Sequence, residues 1–132
     1  MRKEIRRIVL IVAVALLSVP GGTPSRVLAQ WRSLTGLLPD TVRISNPRFS
    51  PDSNWVVYMA DQAIDDTQEI YSVPVSGTVA PLRLNAPLVT DGEVVRYVIS
   101  PDSRHVVYVA EQDVDQRRDL YSVPISGGMP IQ

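Results

Sequence analysis

Few side chains in this chain have the chemistry of a nucleophile, base or ligand, and their spacing limits what they can do. His105 is the only histidine, so a Ser-His-Asp arrangement would have to use it. One histidine cannot build a typical catalytic zinc site, and no His-Glu-x-x-His occurs. There is no Gly-x-Ser-x-Gly nucleophile elbow. There is no cysteine, which excludes disulfides, thiolate zinc sites and cysteine catalysis. The pairs Gly21-Gly22 and Gly127-Gly128 do not form a phosphate loop. Ser50 and Ser100 are possible nucleophiles by type, but each stands in the same Ser-Pro-Asp-Ser context, as turn residues do. No residue is therefore assigned a catalytic or cofactor-binding role, and no cofactor is expected.

Acidic clusters are the remaining chemistry. Asp61, Asp65, Asp66 and Glu69 crowd one polar segment, and Glu111, Asp113, Asp115 and Asp119 crowd another. Hard cations such as calcium need several oxygen ligands held together, which makes Asp113, Asp115 and Asp119 the candidate ligands. Against this stand the missing EF-hand spacing and glycine, and Arg117 and Arg118 within the same segment. The competing reading is a solvated loop whose self-repulsion those arginines ease.

Both segments belong to a repeat. Ser50-Pro51-Asp52-Ser53 recurs as Ser100-Pro101-Asp102-Ser103, Val56-Val57-Tyr58 as Val106-Val107-Tyr108, and Tyr71-Ser72-Val73-Pro74 as Tyr121-Ser122-Val123-Pro124. The offset is 50 throughout, and sixteen of the 28 positions from 50 to 77 are identical without a gap. A period near fifty implies one supersecondary unit per repeat, stacked on its neighbour. Each unit reads as strands. Val56–Ala60 and Ile70–Val75, with their counterparts Val106–Ala110 and Leu120–Ile125, are short runs rich in β-branched and aromatic residues. The Pro-Asp-Ser turn joins the first run to a preceding strand, expected at Arg48–Ser50 and Arg96–Ser100. Pro81–Asn85 is expected as an outer edge strand, where proline is tolerated. Prolines interrupt every candidate helix. Four short strands in fifty residues form a four-stranded antiparallel β-propeller blade. The tyrosines at 58, 71, 108 and 121 are expected to pack between blades rather than form a recognition surface. His105 stands where the first unit has Trp55, which favours a packing role over a catalytic one.

The stretch Phe49-Ser50-Pro51-Asp52-Ser53, followed by Val56-Val57-Tyr58 and Glu69-Ile70-Tyr71-Ser72-Val73-Pro74, resembles the propeller repeat of the TolB carboxy-terminal domain. It is also similar to the WD-like repeats of many exported bacterial proteins. The second copy, Ile99–Ser103 with Asp119-Leu120-Tyr121, matches equally well, so the resemblance covers roughly residues 44–132. It implies an all-β fold and a non-enzymatic surface for protein partners in the cell envelope. The alternative it implies is the propeller part of a larger exported hydrolase whose catalytic domain lies elsewhere. The resemblance departs in blade number: such propellers have about six or seven blades, and this chain has two.

The amino terminus reads separately. Arg2, Lys3, Arg6 and Arg7 precede an apolar run from Ile8 to Val19, broken by Pro20, and Val27-Leu28-Ala29 offers small residues where a signal peptidase reads. That run of 12 residues would span ~18 Å as a helix, short of the ~30 Å hydrocarbon core. The organisation expected is a secretory signal peptide over 1–29, a lead-in segment over 30–43, blade 1 over 44–93 and an incomplete blade 2 over 94–132. Location is then periplasmic or extracellular, with membrane contact only through an uncleaved leader. Residues 1–29 carry five basic residues and one acid, so the remainder holds eight arginines against thirteen acids, about −5. An acidic surface argues against nucleic acid as a partner.

Two blades cover each other on one face only. Four strands at ~4.8 Å by ~17 Å present roughly 320 Å² per face, and leaving such a face wet forgoes about 8 kcal/mol. A whole domain is stable by only ~5–15 kcal/mol. The expectation is two bare outer faces, answered by self-association, by a protein partner or by further blades of a longer protein. Of these the third is favoured, because blade 2 stops before its outer strand is complete.

Overall fold

The computed structural model describes residues 33–36 and 38–132. The leader and Trp31 lie outside the described residues. Seven strands follow one another: β1 (Ile44–Phe49), β2 (Trp55–Ala60), β3 (Glu69–Pro74), β4 (Leu82–Arg83), β5 (Val94–Ile99), β6 (His105–Ala110) and β7 (Asp119–Pro124). They form two antiparallel sheets in sequence order, β1-β2-β3-β4 and β5-β6-β7. These are two blades of an open, partial propeller.

The Ser-Pro-Asp-Ser turn works the same way in both blades. The Ser50 hydroxyl accepts the Trp55 N–H at 3.0 Å and donates to Asp52. Ser100 accepts the His105 N–H at 2.9 Å and donates to Asp102. Each turn closes through a residue in the left-handed region, Ser53 at φ 60° and Ser103 at φ 61°. Ser50 and Ser100 thus act within their own turns.

Strands β2, β3, β6 and β7 are shifted from the sequence reading by one residue at one or both ends, and three other strands differ more. β1 starts at Ile44 and β5 at Val94, earlier than expected. Each contains a bulge, between Ser45 and Arg48 and between Val94 and Arg96, and a bulge breaks the alternation that would mark a strand. The outer strand is short, Leu82–Arg83; beyond it the Leu84 N–H still donates to the Ile70 carbonyl at 2.8 Å, and the Asn85 side chain accepts the Ile70 N–H at 2.9 Å. Blade 2 begins the same outer pairing. Ile131 exchanges two backbone hydrogen bonds with Ser122, at 2.8 and 2.9 Å.

Alternation gives each blade two faces. The front face of blade 2 (Val106, Tyr108, Ala110, Tyr121, Val123) packs with the back face of blade 1 (Val57, Met59, Ile70) and Leu84 into one buried core. The front face of blade 1 (Val56, Tyr58, Ala60, Tyr71, Val73) is buried as well, in a second core that includes Leu34, Val42, Ile44 and Val75. This corrects the expectation of two bare faces: the lead-in segment, through Leu34, lies on one of them.

Polar contacts tie the blades together. The Tyr97 hydroxyl donates to the Val57 carbonyl at 2.7 Å and also contacts the Asn46 carbonyl, in the β1 bulge. Ser72 donates to the Ile125 carbonyl at 2.7 Å, and Ser103 accepts the Asp52 N–H at 3.0 Å. Tyr97→Phe keeps the ring and leaves these buried acceptors short of a donor. The expected cost is about 1–2 kcal/mol, read as a lower midpoint in urea unfolding. An unchanged midpoint would show that this hydroxyl does not couple the blades.

Candidate functional site

The back face of blade 2 is the largest difference between two otherwise matching units. Its residues alternate with the buried front face: Val98 on β5, His105, Val107 and Val109 on β6, and Leu120 and Ser122 on β7, with Ile131 paired to Ser122. Val98, Leu120 and Ile131 are 62%, 60% and 69% exposed, while Val107 and Val109 are half-buried. The blade 1 counterparts of Val107, Val109 and Leu120 (Val57, Met59 and Ile70) are buried, Val57 and Ile70 completely, whereas the counterpart of Val98 is the exposed Arg48. Near-identical residues therefore have opposite fates, and the difference is whether a neighbouring sheet lies on them.

A shallow groove of about 370 Å³ continues from this face along the inner strands, lined by Arg48, Phe49, Pro51, Tyr97, Val98 and Ile99. Phe49 lies on the front face of blade 1, opposite Val56, and is 50% exposed. Its counterpart Ile99 packs against the core between the blades.

His105 is exposed at the start of β6, unlike its counterpart Trp55, which packs against the core between the blades. Its backbone N–H donates to the Ser100 hydroxyl at 2.9 Å, a turn contact that does not involve the imidazole.

The acids the sequence singled out are not brought together. Asp119 pairs with Arg117 at 2.7 Å, and Asp113 accepts the Tyr121 hydroxyl at 2.8 Å. Among the described residues, the carboxylates whose oxygens lie within 4.8 Å of one another are Asp61, Asp65 and Asp66, in the other loop. Of these, Asp61 accepts the Arg43 N–H at 2.6 Å and Asp66 pairs with the Arg43 guanidinium at 3.3 Å. The alternating acids of the second loop, Glu111-x-Asp113-x-Asp115, favoured that loop by spacing, yet the first loop, without such alternation, is where three carboxylates meet.

Glu69 had no assigned role, and it is buried with a clear one. It receives Arg83 at 2.9 Å and the Tyr71 hydroxyl at 2.8 Å, tying the outer strand to blade 1. Glu69 lies two residues before Tyr71, the cross-strand partner of Arg83, and so shares a face with that arginine.

The tyrosines pack. Tyr58 stacks on Tyr71 with centroids 5.6 Å apart, and Tyr108 on Tyr121 at 5.3 Å. Burial pushes the phenols of Tyr58, Tyr71, Tyr97 and Tyr108 well above their ordinary value. Tyr121 is raised to about 12, by burial first and then by its hydrogen bond to Asp113. A phenol whose folded pKa is raised adds stability below its unfolded pKa near 10 and loses it as pH rises above that value. Absorbance near 295 nm is therefore expected to show no tyrosinate until the chain unfolds above about pH 10. Ionisation near pH 10 with the circular dichroism intact would contradict this packing.

No protein-family model matches the chain, and no curated protein matches it. Among solved structures it is similar to one assigned as TolB, from Agrobacterium tumefaciens, with a TM-score of 0.51 and 21% identity over 67% of this chain and 32% of that one. The chain thus spans about a third of the length of that structure. The likeness shows the fold, a TolB-like β-propeller represented by two blades.

Proposed function

We propose that this protein is a non-enzymatic propeller module of the bacterial cell envelope, which binds protein through the back face of blade 2. The observation that carries this reading is exposed Leu120 with its exposed apolar neighbours Val98 and Ile131, on a face where the blade 1 counterparts of Val107, Val109 and Leu120 (Val57, Met59 and Ile70) are buried. Contiguous apolar surface that water would otherwise wet favours protein contact. Supporting it, the hydroxyls of Ser50 and Ser100 are engaged in turns, and the fold is that of a TolB-like propeller.

Two experiments test the reading. A photo-crosslinking residue in place of Leu120 is expected to yield a discrete protein adduct in envelope preparations, whereas one in place of exposed Asp65 yields none. Equal labelling from both positions, or none from 120, would remove the docking face. Export is tested by sequencing the amino terminus of the protein recovered from the envelope. The expected start is Gln30-Trp31-Arg32, and recovery of an intact Met1 terminus in the cytosol would sink the envelope assignment.

A further inference from the structure

The interface between the blades has two halves, and the chain presents each half twice. The inserting half is the front face of blade 2: Val106, Tyr108, Ala110, Tyr121 and Val123. All five residue types recur in register on the front face of blade 1 as Val56, Tyr58, Ala60, Tyr71 and Val73. The receiving half is Val57, Met59 and Ile70 of blade 1, and it recurs on blade 2 as Val107, Val109 and Leu120. The polar contacts have counterparts too. Ser72 donates to the Ile125 carbonyl at 2.7 Å, and the equivalent pair is Ser122 with Val75. The Asp52 N–H donates to Ser103 at 3.0 Å, and the equivalent pair is Asp102 with Ser53.

We propose that the back face of blade 2 receives blade 1 of a second copy of this chain, head to tail. The proposal rests on the docking-face reading above and names its partner. The contact continues the interface that already joins the blades, with the same residue types on both sides. It is heterologous, so a pair of copies keeps one unused half of each kind, and assembly proceeds by addition or by closing a ring.

Two features set its strength. Position 47 is proline where blade 2 has Tyr97, so the tyrosine bridge to the Val57 carbonyl has no equivalent between copies. Leu34, 4% exposed, occupies the front face of blade 1. The lead-in segment is thus a placeholder that an incoming copy displaces. Phe49, on that same face, is half exposed and marks the end that the lead-in leaves open. Both features make the contact between copies weaker than the one within the chain, and therefore reversible and concentration-dependent.

The chain has no cysteine, which permits a clean test. Full-length Ser122→Cys and Val75→Cys proteins are purified separately and mixed under mild oxidation. The expected product is a disulfide-linked heterodimer, at least tenfold above either homodimer. Leu120→Asp, at an exposed position, is expected to abolish it while leaving the circular dichroism and melting temperature unchanged. Leu34→Ala is expected to increase it, and adding Leu120→Asp to that variant returns the chain to monomer in light scattering. A chain that stays monomeric at high concentration, with no heterodimer on mixing, overturns the proposal. If the crosslinker at 120 still captures a different protein, the docking face survives and only the second copy is excluded. If the crosslinker captures nothing either, both readings fall.

Discussion

Everything in this structure depends on laying one twisted sheet on the next. An antiparallel sheet with apolar residues on both faces cannot be stable alone, because its backbone is satisfied internally while both faces remain wet. The front face of blade 2 meets this need for the back face of blade 1, and complete burial of Val57, Ile70, Val106, Tyr108 and Val123 is the result. The tyrosines add direction to what is otherwise non-directional burial. The rings of Tyr97, Tyr108 and Tyr121 fill the space between the sheets, whereas Tyr58 and Tyr71, expected there too, lie on the front face of blade 1 under Leu34. The Tyr97 hydroxyl finds an acceptor on the neighbouring blade.

The turn chemistry makes this stacking repeatable. In each blade a serine hydroxyl holds both the strand that follows and an aspartate side chain, and a second serine takes the left-handed backbone position. The aspartates, Asp52 and Asp102, are held below their ordinary pKa first by those serine hydroxyls and then by backbone amides of the turn. The turn is therefore closed by contacts within its own blade. It sets where β2 and β6 begin and hence which residues face which way. One turn also reaches across, since Ser103 accepts the Asp52 N–H.

This explains what was legible in the sequence. Strands β2, β3, β6 and β7 follow from short runs of β-branched and aromatic residues bounded by turn residues, and the exact period of 50 made their equivalence plain. The early starts of β1 and β5 were hidden by bulges, which spoil the two-residue period. The outer strand was expected over Pro81–Asn85 and spans Leu82–Arg83; the contact of the Asn85 side chain with the Ile70 N–H beyond it has no sequence pattern to reveal it. The cover that Leu34 provides was not legible, because a single leucine in a non-repeating segment has no pattern to reveal its target. Nor did the acidic loops disclose their arrangement. Asp113 and Asp119 are drawn to Tyr121 and Arg117, and such side-chain partners are settled by the folded geometry, not by spacing.

The repeat therefore carries its information in its failures of symmetry. Glu69 is buried beneath Arg83 of a paired outer strand, whereas its counterpart Asp119 sits at the surface with Arg117. Trp55 packs against the next blade, and its counterpart His105 faces outward. Ile70 is fully buried and Leu120 largely exposed. In each pair the residues differ modestly, and the neighbour present on one side and not on the other decides their environment. A histidine in place of tryptophan lowers the apolar content of the outward face without removing its valines. That is the composition of a surface that must remain soluble alone and still gain by being covered. The proposed function accordingly rests on an unfilled packing position on the back face of blade 2.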